Sequence, residues 1–197
     1  MIGNEERAFI FKEVNFLKNQ FNSHITSNFL NYCYNRIHKS SLETAEAIDI
    51  FSRMFRYSLN NKANEKVPLK NEIDYMKDFI KLQGLLSTET HISFLIQNYD
   101  YNSISIFPQI LITFVENAFK HGNINSSSNP ILIDISFSHN FLNFKVMNEK
   151  NGKVVEYSGI GHYNVKKRLD LFYNGKYYLE IKDFNNIYLI DLKLNTN

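Results

Sequence analysis

The chain has 197 residues, of which 44% are hydrophobic, and its formal net charge is +2 at pH 7. This composition is that of a globular protein long enough to bury a core, and it excludes a disordered chain. A charge so close to neutral gives no indication of direct nucleic-acid binding. The single cysteine, Cys33, excludes an internal disulfide and a cysteine-rich zinc site.

Neither the interior nor the N-terminus of the sequence has the apolar run of a membrane or export segment. No stretch reaches the ~18 consecutive apolar residues that a membrane-spanning helix needs. The N-terminal residues are charged and are not followed by the apolar region of a secretory signal. We therefore expect the chain as given to act in the cytoplasm, with a membrane reached only through segments or partners outside it.

The first third of the chain predicts two antiparallel helices. Residues from about 4 to 39 carry an apolar seam at helical spacing, with His24 on or beside it and Asn28 one turn later. Ser41 is a candidate N-cap for a second helix that runs to about Asn61. The expected inner face of this second helix consists of Ala45, Ile48, Phe51, Phe55 and Leu59. Because two amphipathic helices cannot bury both seams alone, we expect two copies to form a four-helix bundle.

The rest of the chain mixes helices and strands. A polar stretch at 60–66 indicates a boundary, so we predict domains at 1–66 and 67–197. A helix is expected to begin near Pro68 and to end near Gly84. Strands are expected at 91–96, 131–137, 141–147, 177–181 and 187–192. This order predicts an α+β fold, an α/β sandwich with helices on one face of a largely antiparallel sheet.

Residues 106–122 predict a helix of about four turns, because Pro108 lies where a helix begins and Gly122 where one ends. Its second half carries two polar pairs spaced one turn apart, Glu116 with Lys120 and Asn117 with His121. A carboxylate, an amide and an ammonium group suit a magnesium-bound polyphosphate. Considered alone, a solvated ion pair beside ordinary polar residues is the commoner interpretation.

A glycine-rich stretch follows later, between a strand and a helix. Gly159 and Gly161 open residues 159–169, and glycines at the mouth of a helix let backbone N–H groups approach a phosphate. A Gly-x-Gly pattern is weak by itself, but its position downstream of the 116–122 helix is more specific. The basic run at 166–168 is expected to be a solvated helix face, with a phosphate contact left open, since on a helix only Lys166 and residues one turn away from it share a side.

Three segments carry a resemblance to a known family. Residues 17–31 resemble the phosphoacceptor segment of the LytS/YehU-like sensor histidine kinases, with matching residues at Gln20, Asn22, His24, Asn28 and Asn31. Ser23 replaces the family's proline, and residues 25–27 replace its Phe-Leu-Phe. Residues 114–122 resemble the N box of the GHKL ATPases, and residues 159–169 resemble the glycine box of the same kinase family.

The resemblance implies a dimerising helical hairpin that receives phosphate, followed by a GHKL-type ATP-binding domain. It implies Asn117 as a Mg²⁺ ligand, Glu116 near the γ-phosphate, and Lys120 and His121 facing the phosphates. It further implies Gly159 and Gly161 as the shapers of the ATP lid, with Asn164 among the nucleotide-binding positions. Many relatives have an aspartate that bonds the adenine amino group where this chain has Asn148. Asparagine accepts only through a neutral carbonyl, so we expect weaker nucleotide affinity.

By this resemblance the chain is expected to be the core of a two-component sensor kinase. It would phosphorylate His24 from Mg-ATP, with Asn28 orienting the imidazole, and pass the phosphoryl group to an aspartate of a response regulator, for which the LytTR type is one candidate. Family relatives are commonly the cytoplasmic part of inner-membrane sensors. The departures around His24 leave open a dimeric ATP-binding signalling module without phosphotransfer. An anti-sigma-like serine kinase would leave the N-terminal helices without a role.

Overall fold

The computed structural model describes residues 23–62, 64–87, 89–97, 99–101, 103–152 and 160–196. The chain divides into two compact units, the first formed by residues up to Glu65 with Ile73–Ser87, the second by Lys66–Glu72 with Thr88–Asn197. The expected domains, 1–66 and 67–197, stay a prediction about folding. In space, residues 73–87 group with the first unit, which a single cut in the sequence does not anticipate.

The first unit is helical in the part that is described. It contains α1 (Ser23–Ile37), α2 (Leu42–Asn60) and the later residues of α3, whose full range is Leu69–Leu86. Ser41 caps α2 as predicted, because its hydroxyl oxygen accepts a hydrogen bond from the Thr44 N–H at 3.2 Å. The predicted long first helix is described only from Ser23, and its earlier residues lie outside the described part.

The face that α2 buries differs from the predicted one. Its buried residues are Ala45, Ile50, Ser52 and Met54. Phe51, expected inside, is 44% exposed. The difference arises because α3 packs along α2, where Arg53 donates to Asp78 at 3.0 and 2.7 Å. The predicted face is therefore confirmed in part, since Ala45 is buried and Ile48, Phe55 and Leu59 are half-buried.

The second unit is built on a five-stranded sheet in the order β2-β4-β5-β7-β6. Its strands are β2 (Ile92–Ile96), β4 (Ile131–Ser138), β5 (Phe141–Glu149), β6 (Tyr177–Phe184) and β7 (Ile187–Asn195). Strands β2 and β4 are parallel and the other neighbours antiparallel, so the largely antiparallel sheet is confirmed. A separate short pair joins β1 (Val67–Pro68) to β3 (Ser105–Ile106). Pro68 therefore lies in a strand, and α3 begins one residue later.

One face of the sheet forms the core of this unit. Phe144 of β5 pairs with Ile135 and Leu192 on its neighbouring strands, and all three are fully buried. The helix α4 (Leu111–His121) covers this face, with the ring of Phe114 centred 6.3 Å from that of Phe144. The remaining helix is α5 (Ile160–Tyr173). The strands that were predicted from alternation thus place α4 over the middle of the sheet.

One predicted helix start is wrong, and one predicted helix end is correct to within two residues. The helix expected from Pro108 begins at Leu111, because Gln109 has a φ of 60° and interrupts the helical conformation. The helix expected to end near Gly84 continues to Leu86. Within the described residues, no helix combines the length and the apolar character that crossing a membrane requires.

Candidate nucleotide site

The helix α4 presents its polar residues beside a fully apolar face. Leu111, Ile112, Phe114, Val115 and Ala118 are buried. Glu116 and Lys120 are exposed, whereas Asn117 and His121 are half-buried at the edge of the apolar face. The predicted arrangement of two polar pairs bordering an apolar face is confirmed. The four side chains are therefore available to a ligand at one edge of α4.

The end of α4 meets the end of β5. Gly122 terminates the helix as predicted, its N–H donating to the Ala118 carbonyl at 2.8 Å, and it forms a β-bridge with Lys150. The Asn151 N–H donates to the His121 carbonyl at 3.1 Å. These bonds join the last turn of the helix to the residues that follow the strand.

Asn148 lies at this junction. It is only 2% exposed, and its Nδ2 donates to the Glu149 carbonyl at 3.1 Å. A Cβ placed on Gly122 would lie 3.1 Å from both Cβ and Nδ2 of Asn148, and 2.3 Å from the Ala118 carbonyl oxygen. Since Gly122 has a φ of −83°, it is needed for space and not for an unusual backbone conformation. The structure thus brings Asn148 beside the helix that carries Glu116 to His121.

A second set of hydrogen bonds surrounds Asn148. Glu149 accepts from Asn186 Nδ2 at 2.8 Å and from Asn123 Nδ2 at 3.4 Å. The Asn123 N–H donates to the Glu149 carbonyl at 2.7 Å. The β6–β7 turn and the segment after α4 are therefore both hydrogen-bonded to the end of β5. These bonds fix the position of the strand residues around Asn148.

Burial changes the acid–base behaviour of two residues on α4. The protein surrounding the Glu116 carboxyl group raises its pKa above the usual value, although part of the residue faces solvent. Burial, with a smaller contribution from the positive charge of Lys120, lowers the pKa of His121. His121 is therefore held toward the neutral imidazole, and Glu116 binds a proton more readily than a free glutamate.

The other expected site residues are placed less completely. Gly159 lies outside the described residues. Gly161 lies in the first turn of α5, and Asn164 is exposed on the next turn. His24 is the second residue of α1, in the other compact unit, and only its backbone is described; Asn28 is exposed on α1. The structure therefore brings together the α4 residues and Asn148.

The sequence analysis missed a group of residues under the start of α4. Arg168 was expected on a solvated face, but its guanidinium group is half-buried and hydrogen-bonded to the carbonyls of Pro108 and Gln109. Glu72 is fully buried and accepts from the Gln109 N–H at 2.8 Å. The positive φ at Gln109 costs about 1–2 kcal/mol in a non-glycine residue. The signal available in the sequence was the spacing of Arg168 from the flanking Val165 and Leu169, which predicts that it borders the buried face of α5.

Comparison with known proteins was made against families, curated proteins and solved structures. Residues 12–91 match the family model described as histidine kinase. No curated protein gives a significant match. A bacterial phosphotransferase is 5% identical, with a TM-score of 0.50 and coverage of 94% of this chain and 96% of that one. The histidine kinase domain of the blue-light activated histidine kinase EL346 from Erythrobacter litoralis is 10% identical, with a TM-score of 0.49 and 96% of each chain covered. The histidine kinase AdeS of Acinetobacter baumannii is 12% identical, with a TM-score of 0.49 and coverage of 77% and 76%.

These matches concern the fold and one part of the chain. At 5% identity, the bacterial phosphotransferase compares with this chain in fold alone, here a mixed α+β arrangement with a five-stranded sheet. The match to the histidine kinase family model is limited to residues 12–91, which include the described N-terminal helices. The LytS/YehU type is not distinguished from other histidine kinases by these matches.

Proposed function

We propose that this chain is the core of a sensor histidine kinase that phosphorylates His24 from Mg-ATP and then passes the phosphoryl group to an aspartate of a response regulator. The observation that carries the proposal is the packing of Asn148 against Gly122. Asn148, the position expected to meet adenine, packs against the end of the helix expected to meet the phosphates, and this supports the proposal. A nucleotide spans such a pair of sites, whereas a solvated ion pair requires no such junction.

The residues of α4 and β5 fit the chemistry of Mg-ATP. Asn117 offers an amide oxygen, which is a suitable ligand for the hard Mg²⁺ ion. Lys120 and the half-buried His121 can donate hydrogen bonds to phosphate oxygens, and the backbone at Gly159 and Gly161 can do so from the lid. Asn148 offers its amide to adenine. When bound, Mg²⁺ supplies neutralisation of charge on the transferring phosphoryl group.

The proposed transfer requires a neutral imidazole on His24. Its nitrogen forms a bond to the γ-phosphorus while the bond from that phosphorus to the bridging oxygen of ADP breaks, and ADP leaves. The imidazole proton is lost in the step and passes to water, so a strongly basic side chain is not required. Asn28, one turn after His24, orients the ring but has no basic group. In the second step the P–N bond breaks and the phosphoryl group joins the carboxylate of the regulator.

The proposed active species is a homodimer. Phe29 and Tyr32 on α1 are 62% and 60% exposed, and Phe51 on α2 is also exposed in the single chain. Large aromatic side chains are stabilised by removal from water, so a second copy that packs α1 and α2 into a four-helix bundle would bury them. The same helices would present His24.

Phosphate incorporation from labelled Mg-ATP tests the proposal. The wild-type chain is expected to gain an acid-labile, alkali-stable phosphate, which His24→Ala abolishes while ATP binding is kept. Asn117→Ala is expected to lose both binding and label. Label that persists in His24→Ala rules out His24 as the acceptor. Nucleotide binding without any phosphohistidine in the wild type would instead favour the dimeric signalling module that lacks phosphotransfer.

A further inference from the structure

The turn at residues 107–110, which precedes α4, is held by charged and aromatic groups from two other helices of the same unit. Arg168 of α5 donates to the Pro108 carbonyl at 2.5 Å and to the Gln109 carbonyl at 3.3 Å. Glu72, in the first turn of α3, accepts from the Gln109 N–H at 2.8 Å and is completely buried. Gln109 is therefore bonded on both sides of its peptide backbone to charged side chains.

Aromatic groups at the end of α5 hold the preceding residue of the turn. The Phe107 N–H donates to the Tyr173 hydroxyl at 3.2 Å, and the Phe107 ring stacks on Phe172 with centroids 4.2 Å apart. Burial raises the pKa of Tyr173 to about 12, so its hydroxyl stays protonated at all physiological pH values. The helix α5 thus contacts three consecutive residues of this turn through Arg168, Phe172 and Tyr173.

The conformation of Gln109 decides where α4 begins. A φ of 60° is disfavoured for a residue with a Cβ, and it persists where surrounding groups hold it. Ile110 gives α4 no side-chain cap, and the Gln109 backbone is instead bonded by Glu72, by Arg168 and by the Thr113 hydroxyl, which donates to its carbonyl at 3.1 Å. If Gln109 relaxes to a negative φ, the start of α4 moves. Glu116 and Asn117 then move as well, since they lie on the same 11-residue helix.

We propose that Arg168 is a positioning residue that couples α5, the helix directly after the glycine stretch, to α4 through the turn at Gln109. This inference rests on the proposed nucleotide function. Arg168 bonds two successive carbonyls with its fork of N–H groups, which the single ammonium of lysine cannot match. Burial lowers the pKa of Arg168, and the negative charge of Glu72 offsets part of this effect. Loss of the Arg168 contacts therefore changes the position of the α4 residues that are proposed to hold the phosphates.

Calorimetric ATP titration of the full chain tests this coupling. Arg168→Met is expected to raise the Kd for Mg-ATP about tenfold, within the usual range for coupling between sites. Arg168→Lys should give an intermediate Kd. The matched control is Lys182→Met, which removes the same charge from an exposed residue of β6 and should leave the Kd unchanged. A Kd equal to that of the wild type in both Arg168 variants overturns the inference.

A rescue experiment separates positioning from simple support of the fold. Glycine adopts a positive φ without strain, so Gln109→Gly keeps the turn in place without the guanidinium group. Adding Gln109→Gly to Arg168→Met, or to Arg168→Lys if the former does not fold, should restore most of the lost affinity. Failure to restore it shows that Arg168 only supports the fold and overturns the inference.

Different results would overturn the proposed nucleotide function and the role of Arg168. A wild-type chain that does not bind ATP overturns the proposed function and this inference together. A wild type that binds ATP and loses binding in Asn117→Ala, while Arg168→Met binds normally, overturns this inference alone.

Discussion

At the scale of single residues, the junction between α4 and β5 depends on a position without a side chain. Gly122 lies against the Ala118 carbonyl and the buried Asn148 amide, in a space that a methyl group cannot share. The amide of Asn148 in turn bonds the adjacent carbonyl of Glu149. Gly122 and the buried amide of Asn148 are therefore packed together, so a substitution at either residue should displace the other.

Gly122→Ala should destabilise the chain. The added Cβ would overlap the Ala118 carbonyl at 2.3 Å, so the backbone must move, and overpacking of this kind costs about 1–3 kcal/mol. Urea unfolding measures the change. The matched control is Gly84→Ala within α3, where a Cβ meets nothing within 4 Å and should instead stabilise by about 0.5–1 kcal/mol. Equal stability changes in the two variants would contradict the steric role of Gly122.

Asn148→Asp, which introduces the residue of many relatives, should lower stability at neutral pH. In the wild type, the Nδ2 of Asn148 donates to the Glu149 carbonyl. The new carboxylate would be buried beside that carbonyl without a hydrogen to donate, and the free energy of unfolding should fall by about 1–3 kcal/mol. Burial would raise the pKa of the aspartate above its reference of about 3.9 in the folded state. The loss should therefore be small below about pH 4, grow as pH rises from the unfolded pKa to the raised folded pKa, and stay constant above the folded pKa. Urea unfolding at pH 4 and pH 8 measures this, and a pH-independent loss would contradict it.

At the scale of elements, the sequence predicts the regular parts well and their irregular joints poorly. Alternation predicts β4 and β5 to within two residues, since every second side chain enters the core. It cannot reveal Gln109, because a positive φ held by Glu72 and Arg168 depends on residues far away in the chain. For the same reason the sequence does not reveal the burial of Arg168, because its neighbours in the sequence form what looks like a solvated basic run.

The helices α2 and α3 should be coupled by their ion pair. Arg53 bonds Asp78 through two N–H groups, and this contact raises the pKa of Arg53. Because the pair is partly exposed, solvent screens it, and a coupling of about 0.5–1 kcal/mol is expected from a double-mutant cycle of Arg53→Met and Asp78→Asn. High salt should reduce this coupling.

Asp49 supplies a control within the same cluster, because it also pairs with Arg53 but lies one turn away on α2 itself. A cycle of Arg53→Met with Asp49→Asn reports coupling inside one helix, typically about 0.3–0.5 kcal/mol. A coupling to Asp78 no larger than this would show that the pair does not join the two helices.

At the scale of the whole molecule, one helix belongs to both compact units. Residues 69–72 of α3 belong to the second unit, and its residues 73–86 belong to the first. The sequence shows the polar stretch before it but not this division, because helical periodicity is the same on both sides. The position of a domain boundary therefore follows from packing partners, which a single sequence does not display.

At the same scale, the exposed aromatic residues predict that two copies of the chain associate. Phe29→Glu places a charge on an α1 side chain that is 62% exposed in the single chain. If a second copy covers this residue, the variant must bury an unpaired charge and should shift from dimer to monomer in sedimentation equilibrium. Phe184→Glu makes the same change at a residue of β6 that is 50% exposed, and it should leave the mass unchanged. A monomeric wild type, or an equal loss of association in both variants, would show that α1 is not the contact between copies.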